Sequence, residues 1–431
     1  MSDKFFICKI RDRFGILLGI MLILCAFLYG STSYAQHYVT KAYTPDIKTI
    51  QVYLNANQLD LPVIRMGSDD HVKVAFDWMS HKFRHLAYRV RFCNADWTPS
   101  ELEEMEYMEG LNEVIIDDPY ISMNTTFDYS HYEFSLPNDD VKLTLSGNYI
   151  VQVYDVDDPS TNLLVACFSQ QDPKVSVTGE VDGRSLYGVN KEYQHLAFEL
   201  FYMGNFNALP DELTVVVRQN GRRDNEVYGL KPTYVKPESL VFEDERKLSF
   251  EGGVQYNVAD FSHRFRYSGC VERISFHNPY YHVEMRPGVM TDGKTSVFRK
   301  DVNGGYLVHQ QDVWSDAEVD YSVVHFSYPL EEPWLDGSLY VSGAFNEGRL
   351  DEANKMVYNY ERHQYELSVV LKNGGYNFQY LFVPAGLTFG LNSRAEGSFW
   401  ETENEYQIYV YYRPLGSDYD RLVGFERIFS K

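Results

Sequence analysis

An all-β protein of three tandem β-sandwich, Ig-like domains behind a cleaved leader is the fold class this sequence predicts. Two observations carry the prediction. Apolar and polar residues alternate at period two through most of the chain, the mark of half-buried strands. Long helical periodicity is nearly absent, and turn residues separate the runs at the short spacing typical of sandwiches. The 35 tyrosines among 431 residues fit the same picture, since an amphipathic ring packs on a sheet and leaves its hydroxyl for water or a partner. Tyrosine serves strands and interfaces alike, so its use in one or the other is not separable here.

Taken in order, Lys4, Lys9, Arg11 and Arg13 precede an apolar stretch from Phe14 to Leu28 and the small-residue site Ser33-Tyr34-Ala35, the pattern of a secretory signal peptide over residues 1–35. The stretch is shorter than the roughly 18 apolar residues a membrane span needs. Cys25 follows Leu24 rather than a small residue, which argues against lipidation. The mature chain then starts at Gln36 and is expected in the periplasm.

Strand faces follow: Val72, Val74, Phe76 and Trp78; Leu86, Tyr88, Val90 and Phe92; Tyr132, Phe134 and Leu136; Tyr149, Val151 and Val153. The best helix candidate is Pro99 to Met108, opened by proline. Further strands place Leu196, Phe198 and Leu200 on one face, then Leu213, Val215 and Val217 ahead of Asn220-Gly221, a dipeptide suited to a tight hairpin. Tyr365, Leu367, Val369 and Leu371 lead to a Gly374-Gly375 turn and then to Tyr376, Phe378, Tyr380 and Phe382. Near the C-terminus, Ile408, Val410 and Tyr412 face one way and Gln407, Tyr409 and Tyr411 the other, and Arg413-Pro414 ends the strand. Breaks at Gln171-Asp172-Pro173 and in the acidic stretch Gln311 to Asp320 divide the mature chain into a first sandwich (36–172), a second β-rich domain (173–315) and a third Ig-like sandwich (316–431).

Loss of the leader removes four basic and two acidic residues and takes the formal charge from -22 to -24. Such a balance disfavours nucleic acid and anionic headgroups, whose binding rests on Lys and Arg. Three cysteines remain, Cys93, Cys167 and Cys270; at most one disulfide can form, and all three read as buried packing residues.

Chemistry is hard to find. The chain holds no Gly-x-Ser-x-Gly elbow, His-Glu-x-x-His pair, phosphate loop or EF-hand spacing. His81 and His85 are four apart, but Lys82 and Arg84 intervene and nothing acidic completes a metal site locally. Asp155-Val156-Asp157-Asp158-Pro159 reads as a hairpin turn rather than a calcium loop. With 59 acidic residues in the mature chain, carboxylate pairs at glycosidase spacing arise by number alone. No catalytic, cofactor-binding or metal residue is assigned, and partner-binding residues are left open.

Gly343-Ala344-Phe345-Asn346, with the strands after it, resembles the glycogen- and starch-binding Ig-like modules. In those modules a tryptophan soon after Phe-Asn stacks on sugar; here Glu347-Gly348 holds that place, so the resemblance implies a fold rather than a sugar ligand. A broader resemblance covers nearly the whole mature chain. Cys93-Asn94-Ala95-Asp96-Trp97-Thr98-Pro99-Ser100, Leu145-Ser146-Gly147-Asn148-Tyr149, Gly343 to Asn346 and the run Glu401 to Gly424 stand in the order found in the plug proteins of the Bacteroidota type IX secretion system. That resemblance implies a non-enzymatic, cofactor-free periplasmic protein without a membrane span, docked on the outer-membrane β-barrel translocon and sealing its pore when idle. A carbohydrate-binding accessory protein is the alternative. The motifs themselves read as fold markers, with Trp97 covering the end of the first sandwich.

Overall fold

The computed structural model describes residues 37–291, 301–311 and 313–430; the leader expected over 1–35 lies outside them. The described chain is all-β, in sheets whose pairings are mostly antiparallel. Among these residues, no helix is long and apolar enough to cross a membrane.

The main strands around the first core are β1 (Ile47–Leu54), β2 (Val72–Trp78), β3 (Leu86–Cys93), β4 (Val114–Ile115), β5 (Tyr120–Ile121), β6 (Ser130–Leu136), β7 (Gly147–Asp155) and β8 (Asp158–Gln171). One sheet runs β8-β7-β3-β4, the other β1-β2-β6-β5. Their alternating faces meet, so Val74, Phe76, Tyr88, Val90, Tyr149 and Val151 are buried together, each large apolar side chain contributing about 1.5–3 kcal/mol. Phe76 stacks on Tyr132 with ring centroids 5.3 Å apart. The helix expected over Pro99 to Met108 is one turn, α1 (Glu104–Tyr107), where Glu103 N–H donates to Glu106 Oε2 at 2.7 Å. It stops because Tyr107 and Met108 are both drawn into the core.

The second core begins with β9 (Val175–Asp182), β10 (Tyr193–Tyr202), β11 (Leu213–Gln219), β12 (Val227–Leu230) and β13 (Ser239–Phe242). The chain then builds the third core from β14 (Asn257–Asp260), β15 (Val271–His277), β16 (Tyr280–Met285), β17 (Tyr306–Val308), β18 (Tyr321–Pro329), β19 (Gly337–Ser342), β20 (Gln364–Lys372) and β21 (Gly374–Pro384). Only afterwards come β22 (Glu405–Tyr412) and β23 (Arg421–Phe429), which complete a sheet β12-β11-β22-β23 of the second core. Tyr406, Ile408 and Val410 are buried there with Val215, Val217, Leu196 and Phe198.

The strand pairing thus divides the chain differently from the boundaries expected at 173–315 and 316–431. The C-terminal hairpin belongs with residues 175–250, and the third core, spanning β14 to β21, is inserted into the second. Period two reports which face of a strand is apolar but not which sheet it joins; β22 has register with β11 from Leu213↔Tyr412 to Gln219↔Tyr406, a pairing across nearly 200 residues that no local pattern encodes.

Two turns also differ. Gly374 and Gly375 do not close a hairpin; the chain at Asn373 passes from the sheet of β20 to the sheet of β21, and a Cβ on Gly374 would meet Leu307 O at 2.0 Å. Asn220 and Gly221 do take positive φ, +52° and +70°, but the loop continues to Glu226 because Asn220 is held by β22, its N–H donating to Glu405 O at 2.8 Å.

Candidate functional site

The sequence motifs come together at the seam between the first and second cores. Asp420 accepts from Ala95 N–H at 2.8 Å and takes a two-pronged ion pair from Arg413, whose Nη2 also donates to Asn94 Oδ1 at 2.8 Å. Asn148 donates to Asn94 O at 3.0 Å, and its Oδ1 accepts from Ser169 at 2.8 Å and Tyr411 at 3.0 Å. Beside them Val63, Ala95, Val216, Tyr409, Tyr411 and Leu422 form a small apolar cluster, so β22 is buried on both faces. In the 145–149 motif Gly147 opens β7 at φ +149°, where a Cβ would meet the Phe92 ring at 2.3 Å and Asp420 O at 2.9 Å. Only glycine allows the C-terminal hairpin so close.

Trp97 does not cover the end of the first sandwich but packs on the outer face of the sheet β8-β7-β3, with Tyr38, Cys93, Ile150, Val165 and Cys167, whose strand neighbours face the first core. It sits at φ +66°, a conformation bulky residues rarely adopt. Thr98, donating twice to Asp96 Oδ1, and the Arg223 guanidinium 4.6 Å from its ring hold it there. Burial pushes the Cys93 and Cys167 thiols up, which leaves them as packing residues; Cys270 is half-buried.

A second seam, against the third core, is ionic. Asp77 and Lys372, both 1% exposed, pair at 2.6 Å. Asp77 also bonds His131 Nδ1 at 2.6 Å and accepts from Tyr321 OH at 2.5 Å, while Lys372 lies 4.4 Å over the Tyr129 ring. Burial works against the Asp77 charge, but Lys372 and His131 outweigh it and hold the carboxyl below its usual range. His131 is likewise opposed by burial and raised by its bonds to Asp77 and Glu133. Tyr129 OH donates to Val319 O at 2.7 Å and Thr126 N–H to Asp320 at 2.8 Å. The second and third cores are joined in turn by Glu251 accepting from Asn392 N–H at 2.8 Å and by Gln194 donating to the carbonyls of Trp400 and Thr402.

Where the three cores meet lies a cavity of about 250 Å³ lined by Trp97, Arg218, Arg223, Tyr256, Tyr409 and Glu347, among others. Arg223 donates to Tyr38 O at 2.9 Å, and burial with the neighbouring Arg218 pushes its guanidinium down. Glu347, the residue standing where the sugar-binding modules carry a stacking ring, is half-buried against this cavity at φ +58°. Burial raises its carboxyl to about 7 despite Arg349 and Arg223.

His81 and His85 do not act together: His81 bonds Ser122 at 2.9 Å and the His85 ring packs edge-on against Phe83. Asp155 and Asp158 pair across the β7–β8 hairpin, and Asp155 binds Arg84 at 2.8 Å. Among the described residues, no group of His, Cys, Asp and Glu stands placed to hold a metal ion. Asp77, His131 and Lys372 escaped the sequence reading, which noted Glu347 only as the residue in place of a stacking ring. The first three sit on strands as polar residues in alternating runs, a pattern shared with solvent-facing positions.

Packed sandwiches fastened by buried polar seams define an all-β protein. Residues 47–171 match the family described as type 9 secretion system plug protein, first domain. The crystal structure of a hypothetical protein from Parabacteroides merdae is similar over 92% of this chain and 100% of that one, at 38% identity and a TM-score of 0.88. No curated protein matches. The chain belongs to one family with the Parabacteroides protein, and its first domain to the type 9 secretion system plug family.

Proposed function

We propose that this protein is a non-enzymatic periplasmic plug that docks on the periplasmic opening of the outer-membrane type 9 translocon and seals its pore when idle. The observation that carries the reading is the plug first domain over residues 47–171. The seams add a physical reason. A stopper must not deform under load, and three cores tied by the Asp77–Lys372 ion pair, by the bonds of Asp420 to Ala95 N–H and of Arg413 to Asn94 and by interlocked backbone bonds resist relative movement. A reversible seal needs an aromatic and apolar centre with a polar, salt-sensitive rim rather than a cofactor.

The test is a tagged pull-down of the mature protein from gently solubilised native envelopes, with mass spectrometry. Recovery of one giant outer-membrane barrel, lost when its gene is deleted, supports the reading. Recovery of glycan-uptake components instead, with retardation of the protein in soluble-glycan gels, replaces it with the carbohydrate-binding alternative.

A further inference from the structure

The first core is left open along one side. There β4 ends one sheet and β5 ends the other, each paired on a single flank, and the chain crosses directly between them through Ile116 to Pro119. The ribbon is pinned rather than loose. Asn112 Oδ1 accepts from Val90 N–H at 2.7 Å, Ile116 N–H donates to Leu86 O at 2.9 Å with its side chain in the core, and Ser122 N–H donates to Tyr129 O at 2.9 Å. Along and beside these anchors Val114 packs against the core, while four apolar side chains are exposed: Leu111 is 60% exposed, Ile115 66%, Tyr120 61% and Met123 61%.

The charge around them is one-sided. From Phe92 to Val141 the sequence holds thirteen Asp and Glu and no Lys or Arg. Glu113, Asp117 and Asp118 on the ribbon, and Glu109 just before it, are exposed. Some other exposed apolar side chains have basic neighbours: Tyr234 and Val235 lie between Lys231 and Lys236, Leu186 and Tyr187 between Arg184 and Lys191, and Phe265 between Arg264 and Arg266.

An open apolar sheet edge invites pairing with another chain. Like charge repels a second copy of this ribbon, and the same charge repels nucleic acid and anionic lipid, whereas a cationic surface is drawn to it. We infer that the ribbon from Leu111 to Met123 is the docking edge of this protein, and that its occupant is a basic, apolar-bearing segment of the translocon barrel's periplasmic rim. Ile115, Tyr120 and Met123 act as anchors and the acids as the rim that sets approach and orientation. This rests on the plug reading and adds to it the face that meets the pore.

Binding of the full mature chain to the detergent-solubilised barrel on a biosensor tests it, with circular dichroism and unfolding midpoints to show that each variant is folded. The triple change Ile115→Ser, Tyr120→Ser, Met123→Ser and the triple change Glu113→Lys, Asp117→Lys, Asp118→Lys should each weaken binding tenfold or more, the second also flattening its dependence on salt. Tyr234→Ser with Val235→Ser, on another sheet edge, should bind as the unaltered chain does. If both triple variants bind within twofold of the unaltered chain, the docking edge is elsewhere and the plug reading stands. If the unaltered chain does not bind the barrel, both fall together.

Discussion

Where the first core meets the C-terminal hairpin, the contacts run largely through backbone groups and short polar side chains: Ala95 N–H to Asp420, Asn148 to Asn94 O. Where it meets the third core, a carboxylate and an ammonium are buried at 1% exposure with a histidine and a tyrosine hydroxyl around them. In the first arrangement Asn148 and Arg413 keep other partners when one bond is removed, and Ala95 N–H is the group that would lose its own. In the second, Asp77 keeps its bonds to His131 and Tyr321, but Lys372 forms its ion pair with Asp77. Removing one charge strands the other in a low-dielectric interior, which costs far more than the pair contributes. A joint can therefore be strong through redundancy or specific through mutual dependence, and this molecule uses one of each.

The largest effect should come from the ionic seam. Lys372→Ala is expected to lower the unfolding free energy by about 3–5 kcal/mol in urea denaturation, while Asp77→Asn with Lys372→Met, which removes both charges, costs less than either single change. Asp420→Ala, which leaves Ala95 N–H and Arg413 short of a partner, should cost about 1–3 kcal/mol. An equal loss in the two single variants would erase the distinction between the seams.

Acidity separates the seams further. His131 is raised above 6.5 in the fold, so the stability it adds is complete below that value and is lost as pH rises through the raised one. Asp77 is lowered below 3.8, so its contribution is present above that value and fails as pH falls through the lowered one. The ionic seam is then strongest between these limits. Glu347, raised from 4.5 to about 7, acts the other way for an acid: the fold is penalised progressively as pH climbs between those values. Glu347→Gln should raise stability by about 1–2 kcal/mol at pH 8, after allowance for screening, and leave it unchanged at pH 4. A Tm measured across pH reads both. Smallest of all, Tyr411→Phe, which loses a single bond to Asn148, should cost about 1 kcal/mol.

The strand faces were legible because burial leaves a period-two trace: Val74 and Phe76, Tyr88 and Val90, Ile408 and Val410 all lie in cores as their alternation required. Partners across long distances were not. Gln407, Tyr409 and Tyr411 form the second face of β22, and only docking against Ala95 and Val63 makes that face an interior. Asp77 lies between Phe76 and Trp78 and reads as an ordinary outward polar residue until Lys372, 295 positions away, arrives beside it. The motifs at 93–100 and 145–149 were visible as markers, yet their meeting with Asp420 and Tyr411 belongs to tertiary structure alone.

The late position of the β22–β23 hairpin also orders the events of folding. Until residues 405–429 arrive, β11 has only β12 beside it, and Val215 and Val217 lack the roof that Ile408 and Val410 provide. A chain emerging from its N-terminus can finish the first core early and enclose the third while the second stays half built. Completion of the second core and of the Asp420 seam then falls to the same closing stroke, after the ionic seam between the first and third cores can already have formed.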